Sequence, residues 1–599
     1  MNLIRSIFII IALIFSAIPL HSQSEEEGKY KLAQSYEKSG DYLSAQRLYL
    51  ELYNSHKYNE EYFDALKRTY MALNQYSEFL EIVRERFEDY KSPKMYALLG
   101  ELLWRTGDIE KANEIWNEAL EDQRRTSVYV DIAEAQISLL LFEKAIETFL
   151  RAREETGNPA LFADELSQLY IAVGDYAKGT SEVLTLFERT ADLAKAEGRL
   201  SALMTSEDAI EHIDKMLGER SAGNSITYKQ LYAWFLRQTD QLQEALDLII
   251  EIDNMGRKKG KEIYDFARQS LFDEQYDIAL KAFGRLIEMG NETRYYRNAR
   301  YEYVRTLEKK LTGQEDFSGE EIMMVIDEYE NLISGSESDR SDRQGKYRIA
   351  WLYYKYLNDN EKAIEYLTEL VDTRINDNVN GEANLLLGDI YFEMDQKQKA
   401  KTRYEILSTS LCRYAPVECY EAKLRLADMM YYSGNIDSAR SMYIDLTDHF
   451  NMDYMNDAME KIVLIDQNKS NEFALATFAK AEQYETQKKY DEAIATFKKI
   501  IDEASYSDLA ERSYIKIVKI FQKQKMYDKA RVMIEEFLDE YDKSIFGDYA
   551  LLTLGDIYMK QNKKEEAIDQ YKKLLVDYPR SIYLQEARTK IRRARGENL

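Results

Sequence analysis

The stretch Leu554-Gly555-Asp556-Ile557-Tyr558, followed by Ala567, Tyr571, Leu574 and Pro579, decides the fold of this 599-residue chain. Counted from Gly555, which we call the anchor, the four later residues lie at +12, +16, +19 and +24. Small residues at the anchor and at +12 let two helices approach closely, and the larger residues fill the space between them. One such hairpin cannot bury its apolar face alone, so the pattern predicts stacked copies.

The same unit recurs in phase along the chain. Leu387-Gly388-Asp389-Ile390-Tyr391 is followed by Ala400, Tyr404 and Leu407 at the same spacing. In the first half of the chain the anchor positions follow one another at almost equal steps, at Ala33, Lys67, Gly100, Ala133, Ser167, Leu200, Ala233 and Ala267. Further anchors with matching residues downstream are Ala427, Ala481 and Val518.

At these positions the sequence resembles the tetratricopeptide-repeat (TPR) family, whose helix-turn-helix unit is about 34 residues long. The resemblance covers nearly all of the chain after its N-terminal segment. It implies an all-α superhelical solenoid of about fourteen helix-turn-helix repeats.

The repeat spacing changes in the second half of the chain. A polar stretch begins at Leu311, and beyond Ala350 the steps between anchors are several residues longer than before. We therefore expect an N-terminal TPR array over 23–312, an irregular insertion over 313–343 and a C-terminal TPR array over 344–599. The alternative is one continuous superhelix with a surface insertion.

The N-terminus resembles a secretory signal. Arg5 precedes an apolar run from Ile7 to Ile18, and Pro19 and Ser22 follow it. The run has about twelve residues, whereas a membrane span needs about 20. Residues 1–22 are therefore expected to be a cleaved signal peptide, and an uncleaved inner-membrane anchor is the alternative. Export predicts a periplasmic or cell-envelope location in a Gram-negative bacterium.

Only two cysteines occur, Cys412 and Cys419. They flank Pro416 at an expected turn between helices, and export permits them to form a disulfide. The alternative is that they are two small, partly buried residues.

The composition bears on the choice of partner. The net charge is −26 and the sequence pI is about 4.9, so the surface repels phosphate backbones and nucleic-acid binding is not expected. Proteins are the expected partners, with basic peptide segments favoured by the charge. A basic segment at Arg588 to Arg595 leaves peripheral membrane association open.

No pattern in the sequence predicts catalysis. The four histidines are scattered, one in the signal and three in distant repeats, so a histidine-based metal site or triad is not expected. Neither a glycine-rich phosphate loop nor a nucleophile elbow occurs. We therefore expect no catalytic, cofactor-binding or metal-binding residues and no enzyme activity. The alternative is a cell-wall enzyme, or an accessory subunit of one, that uses the solenoid to bind polymer.

The position after the anchor is often acidic, and in some repeats an aromatic residue follows three positions later. In the TPR family this part of the first helix lines the binding groove, and acid beside aromatic suits a basic peptide. The alternative is that these acids only solubilise the helix. The predicted groove residues are Glu101, Trp104, Glu134, Asp389, Phe392, Asp428, Tyr431, Glu482 and Asp556.

The C-terminal part of the chain resembles one TPR subgroup more closely. The ending Asp577-Tyr-Pro-Arg-Ser581 with Glu586-Ala-Arg588 is similar to the TPR proteins of the outer-membrane barrel-assembly and Tol systems. The cysteine that would carry a lipid is absent, which departs from the barrel-assembly member. The resemblance implies a non-catalytic envelope scaffold that mediates protein–protein interaction and complex assembly.

Overall fold

The computed structural model describes residues 25–122, 125–314, 316–333, 339–373, 375–447 and 453–597. All regular secondary structure in these ranges is helical. The chain divides into two compact units, the first ending at Glu262 and the second beginning at Ile263. The predicted signal peptide, residues 1–22, lies outside the described residues, so its cleavage and the predicted location remain predictions.

The first unit is a succession of helices joined by short turns. It begins with α1 over residues 25–38. The following helices are α2 (Tyr42–Ser55), α3 (Glu60–Ala72), α4 (Tyr76–Asp89), α5 (Pro93–Arg105), α6 (Ile109–Asp122), α7 (Thr126–Ser138), α8 (Phe142–Thr156), α9 (Ala163–Ala172), α10 (Tyr176–Thr190), α11 (Leu193–Leu203), α12 (Glu207–Ser221), α13 (Ile226–Gln238) and α14 (Leu242–Met255).

The second unit continues the alternation. Its helices are α15 (Lys261–Phe272), α16 (Tyr276–Glu288), α17 (Tyr296–Thr312), α18 (Gly319–Leu332), α19 (Arg340–Leu352), α20 (Asn360–Asp372), α21 (Asn378–Glu393), α22 (Lys397–Thr409), α23 (Pro416–Tyr432), α24 (Ile436–Thr447), α25 (Asp453–Gln467), α26 (Glu472–Thr486), α27 (Tyr490–Glu503), α28 (Asp508–Lys523), α29 (Tyr527–Glu540), α30 (Gly547–Lys560), α31 (Lys564–Asp577) and α32 (Leu584–Ala594). A 3₁₀ turn, Gly290–Glu292, precedes α17, and a π-helical turn, Tyr353–Leu357, follows α19.

The helices pair as the repeat pattern predicts. In sequence order, α1 to α24 form successive pairs and α26 to α31 form three more, while α25 and α32 stand outside the pairing. In most hairpins the anchor and the residues at +12 and +16 are buried between the paired helices, as at Ala427, Ala439 and Tyr443. The anchor Lys67 is only half-buried. The prediction of an all-α solenoid of TPR-like hairpins is therefore confirmed.

The glycine anchors show how closely the paired helices approach. A Cβ added at Gly388 would lie 2.4 Å from the Tyr404 ring, and one at Gly555 would lie 2.3 Å from the Tyr571 ring. Because real Cβ atoms do not approach other atoms so closely, the ring at +16 excludes any larger anchor in these two hairpins.

The turn inside most hairpins contains one left-handed residue. Gly107 and Gly434 occupy this position with φ of 93° and 81°. Other hairpins place non-glycine residues there, including Asp395 with φ of 61° and Lys488 with φ of 55°. Glycine relieves the steric cost of this conformation, but stacking of the helices imposes it even where glycine is absent.

The region predicted to be an insertion, 313–343, is partly helical. Within it Ser318 caps α18 in a capping box with Glu321. One cluster of buried residues extends from Tyr301 through α18 to Ile390, so apolar packing continues across this region of the second unit. The predicted division of the chain into arrays at 313–343 remains a prediction.

The two cysteines lie at the junction between α22 and α23. Cys412 and Cys419 form a disulfide whose Cα atoms are 4.9 Å apart. That distance is within the range that a disulfide requires, below about 7 Å. The bond joins the end of one hairpin to the first helix of the next.

Candidate functional site

The acidic residues that follow three of the anchors accept hydrogen bonds from tyrosines. The hydroxyl of Tyr404 donates to Asp389 at 2.7 Å. Tyr443 donates to Asp428 at 2.7 Å, and Tyr571 donates to Asp556 at 2.8 Å. The ring at +16 crosses the anchor, so its hydroxyl reaches the next residue of the first helix. Burial and the neighbouring Asp389 raise the pKa of Tyr404 well above its ordinary value.

Basic residues about one repeat later also bind two of these acids. Arg425 donates to Asp389 at 3.1 Å, and Lys590 forms an ion pair with Asp556 at 2.6 Å. These cations come from the first helix of a following hairpin or from the final helix. The acids therefore join successive structural units as well as the two helices of one hairpin.

Glu482 is the most strongly held of the predicted acids. Its side chain is only 8% exposed and pairs with Lys461 at 2.5 Å and with Lys516 at 3.1 Å. Burial alone would raise the pKa of Glu482, but the two ammonium charges outweigh that effect and lower the pKa to about 2. This carboxylate is therefore ionised and neutralised by two lysines at neutral pH.

The three predicted residues of the first unit have different environments. Glu101 is buried, pairs with Arg105 at 2.9 Å and accepts a hydrogen bond from Ser138 Oγ at 3.0 Å. Trp104 is half-buried and stacks on Trp116, with ring centroids 6.0 Å apart. Glu134 is exposed.

In the second unit, Asp389, Phe392 and Asp428 line one cavity of about 330 Å³, which we call the sheltered cavity. Phe392 stacks on Tyr432, whose hydroxyl lies 3.2 Å from Thr486 Oγ1 of α26. The other lining residues are Tyr354, Glu393, Tyr404, Arg425 and Met429. Burial of its carboxyl group raises the pKa of Asp428 above its ordinary value.

Two turns that are far apart in sequence meet beside this cavity. Gln487 Nε2 donates to the Phe392 carbonyl at 3.2 Å and to Asp395 Oδ1 at 2.8 Å. Lys488 pairs with Glu393 at 2.9 Å, and Lys489 pairs with Asp395 at 3.3 Å. We call this set of contacts the clasp. It links the α21–α22 hairpin to the α26–α27 hairpin across α23, α24 and α25.

A second cavity, of about 510 Å³, lies between α25, α26, α28, α30 and the turn before α32. We call it the cationic cavity, because five basic side chains line it against three acidic ones. The basic residues are Lys461, Arg512, Lys516, Lys519 and Arg580, and the acidic residues are Glu460, Glu482 and Asp548. The apolar and aromatic lining residues include Leu464, Phe478, Ile515, Ile545, Phe546, Tyr549, Ile582 and Tyr583.

The structure thus brings only some of the predicted groove residues together. Asp389, Phe392 and Asp428 share the sheltered cavity, whereas Glu482 lines the cationic cavity. Tyr431 is fully buried, with Lys461 Nζ 4.7 Å from its ring centre. Asp556 lies in neither lining. Partner binding by these residues remains a prediction.

Sequence reasoning missed the cations of the second cavity, although a signal for one of them exists. Lys516 follows Glu482 by one repeat length, just as Lys590 follows Asp556. A base one repeat after an acid predicts an ion pair between neighbouring first helices. Lys519 follows Glu485 by the same interval, but Glu485 pairs with Lys516 instead, at 3.0 Å. Arg580 has no such periodic partner and could not be found in this way.

Two further features concern ligands and membranes. Across the described ranges, no group of three or more His, Cys, Asp or Glu side chains is placed to hold a metal ion. Of the helices that the structure describes, none has the length and apolar character that a membrane span requires.

Solved structures that match this chain include three with low TM-scores. The structure of Naa15/Naa10 bound to HypK-THB is 12% identical, with 95% of this chain and 96% of that chain covered and a TM-score of 0.28. A tetratricopeptide repeat protein from Parabacteroides merdae ATCC 43184 is 13% identical, with 56% and 99% covered and a TM-score of 0.24. The P58(IPK) TPR domain is 15% identical, with 62% and 97% covered and a TM-score of 0.18.

Sequence comparison identifies the repeat type directly. No curated protein matches the chain in sequence. A family model of the tetratricopeptide repeat-like domain matches residues 430–588, and a tetratricopeptide-repeat model matches residues 345–373 and 382–409. These matches fall on hairpins whose anchors pack as the repeat requires, and similar hairpins form the described part of the first unit. The chain therefore contains tetratricopeptide repeats, over residues 345–373, 382–409 and 430–588.

Proposed function

We propose that this protein is a non-catalytic scaffold of the bacterial cell envelope that binds partner proteins and supports assembly of an envelope complex. The observation that carries the proposal is the repeat array itself. Stacked TPR hairpins form extended surfaces that bind proteins, and their first helices supply much of that surface. Tetratricopeptide repeats generally mediate protein–protein interaction, so the matched repeats support a role as a protein-interaction scaffold.

The envelope location rests on the N-terminal sequence. Arg5, the apolar run to Ile18 and the small residue Ser22 have the order of a secretory signal. The similarity of the C-terminal repeats to the TPR proteins of the barrel-assembly and Tol systems supports an envelope complex as the destination. Mass measurement of the protein purified from cells tests this part, and we expect a chain that begins at Gln23. A chain that retains Met1 would exclude cleavage.

Site-specific photocrosslinking in living cells tests the scaffold function. A photoreactive residue at Glu134 in α7 or at Lys519 in α28 should capture a partner, since both are exposed on first helices. The matched controls are Glu147 in α8 and Lys573 in α31, which are exposed on second helices. Equal capture from the first-helix and second-helix positions would show that the surface of the first helices is not the binding surface.

The absence of catalysis is part of the proposal and has its own test. The purified mature chain should release no soluble fragments from isolated cell-wall polymer. Fragment release that persists at constant specific activity through further purification would favour the alternative of a polymer-binding enzyme.

A further inference from the structure

The cationic cavity has a charge opposite to that of the whole protein. Five basic and three acidic side chains line it, whereas the chain carries a net charge of −26. Lys461 and Lys516 are already paired with Glu482, and Arg512 pairs with Asp508 at 2.6 Å. Lys516 also pairs with Glu485 at 3.0 Å, and Arg512 lies 3.8 Å from Glu460. The basic lining residues outside these pairs are Lys519 and Arg580, and the acidic lining residue outside them is Asp548.

Lys519 and Arg580 have no carboxylate within ion-pair distance anywhere in the described ranges of the chain. Lys519 is exposed, and its ammonium group lies 5.3 Å from the ring centre of Tyr549. Arg580 is exposed in the turn before α32. In a protein with so many carboxylates, two neighbouring cations without one can pair with an acidic ligand without first breaking an internal ion pair.

Apolar side chains also line this cavity, and one turn geometry places two of them. Ile545 is 78% exposed and Ile582 is 85% exposed. Each follows a serine whose hydroxyl accepts a hydrogen bond from the backbone N–H two residues later, Ser544 from Phe546 and Ser581 from Tyr583, both at 3.0 Å. The same turn, repeated at the ends of two successive hairpins, therefore presents an aliphatic side chain to the cavity twice.

We propose that the cationic cavity binds an acidic segment of a partner protein that also carries aliphatic or aromatic side chains. This inference rests on the proposed scaffold function and specifies the chemistry of its partner. The carboxylates of the segment would pair with Lys519 and Arg580, and its apolar side chains would cover Ile545 and Ile582. The volume of about 510 Å³ has room for a few side chains, which suits a peptide segment.

This partner is opposite in charge to the basic peptide that the acids among the predicted groove residues favour. The difference arises because Glu482 is neutralised by Lys461 and Lys516, so the cations set the charge of this surface. An anionic polysaccharide would match the charge but would leave the two exposed isoleucines uncovered. An anionic membrane is disfavoured because a flat surface does not fill a cavity.

Binding of defined peptides to the purified mature chain tests the proposal. The probe is a fluorescent twelve-residue peptide that alternates Glu or Asp with Leu or Phe, and its comparison peptides replace the acids with Lys or the apolar residues with Ser. We expect the acidic, apolar peptide to bind and both comparison peptides to bind at least about tenfold more weakly. Binding should weaken as salt is raised.

Charge-reversal variants locate the binding site. Lys519→Glu with Arg580→Glu should weaken peptide binding about tenfold, because two attractive pairs become repulsive. The matched control is Lys498→Glu with Lys573→Glu, which makes the same change of net charge at exposed positions of α27 and α31. Equal weakening by both double variants, or equal binding of the Lys-containing peptide, would overturn the proposal. So would binding to anionic phosphatidylglycerol vesicles without binding to the peptide.

Photocrosslinking separates failure of this inference from failure of the scaffold proposal. A photoreactive residue at Lys523, exposed one turn after Lys519 in α28, keeps both binding cations. Capture of a partner from Glu134 but not from Lys523 would leave the scaffold intact and reject the cationic cavity as its site. Capture from neither position would reject both. Capture from Lys523, lost when Arg580 is also changed to Glu and retained when Lys573 is changed instead, would support both.

Discussion

The sheltered and cationic cavities are built from similar first helices, yet they present different surfaces. In the sheltered cavity three acids, Asp389, Glu393 and Asp428, face one cation, Arg425. Tyr432 with Thr486 and the clasp lie beside that cavity. In the cationic cavity five basic residues face three acidic ones, and Ile545 and Ile582 are exposed.

The comparison shows that an acid at one repeat position does not fix the charge of the surface around it. Asp389 and Glu482 both follow an anchor, and both are bound by cations. Around Asp389 the tyrosine and the arginine complete a largely internal network. Around Glu482 two lysines neutralise the acid, and further cations beyond them set the charge that a partner meets. The surrounding side chains, rather than the repeat position, determine what each surface can bind.

The largest effect is expected at Glu482. Because its pKa is lowered from 4.5 to about 2, its ionised form stabilises the fold above about pH 4.5. That stabilisation, about 3 kcal/mol, should be lost as the pH falls from about 4.5 to 2. Hydrogen exchange of α26 and α28 amides as a function of pH measures it. Glu482→Gln should remove this pH dependence, whereas Glu503→Gln, at an exposed position of α27, should preserve it.

A slightly smaller loss of stability is expected when the helix pair beside the sheltered cavity is overpacked. Gly388→Ala places a methyl group 2.4 Å from the Tyr404 ring and should reduce stability by about 2 kcal/mol. The control is Gly284→Ala in α16, where a Cβ meets nothing within 4 Å. That change should stabilise the helix by about 0.5–1 kcal/mol. Urea unfolding followed by helix-resolved hydrogen exchange compares them, and equal effects would contradict the close approach at Gly388.

The tyrosine–acid hydrogen bonds allow two hairpins of the second unit to be compared. Tyr404→Phe, beside the sheltered cavity, and Tyr571→Phe, in α31, each remove a hydroxyl that donates to an aspartate. Each should cost about 1.5 kcal/mol, since the acceptor is charged. The test is local hydrogen exchange in the two hairpins. A loss of stability in Tyr404→Phe with none in Tyr571→Phe would show that Asp389 has a structural role and that Asp556 does not.

The smallest effect concerns the clasp. Gln487→Ala removes two hydrogen bonds and should cost about 1 kcal/mol. Amides near Asp395 and Lys488 should exchange faster, while peptide binding at the cationic cavity should be unchanged. Gln524, which follows α28 as Gln487 follows α26, is the matched control for an alanine substitution. Faster exchange near Asp395 in Gln524→Ala would show that the clasp is not the cause.

Much of the fold could be predicted from the sequence because it depends on local spacing. Gly388 and Gly555 with the tyrosines at +16 specify a close helix pair, and the structure places them so. The tyrosine–acid hydrogen bonds could also have been predicted, because Asp389 and Tyr404 have the same spacing as Asp556 and Tyr571.

The surfaces could not be predicted in the same way. The clasp joins Phe392 to Gln487 across 95 residues and depends on how several hairpins stack. The charge of the cationic cavity depends on residues from several elements, among which Arg580 follows no repeat spacing. Periodicity predicts which residues pack within a hairpin, but it does not predict which loops and side chains from different repeats converge.

The clasp has a consequence for the order in which the second unit folds. Contacts between adjacent hairpins close short loops, because they connect nearby residues. The clasp closes a loop of 95 residues between Phe392 and Gln487, which costs more conformational entropy. The clasp is therefore expected to form after the hairpins that it joins, and the segment from α21 to α27 should become fully cooperative only at that step.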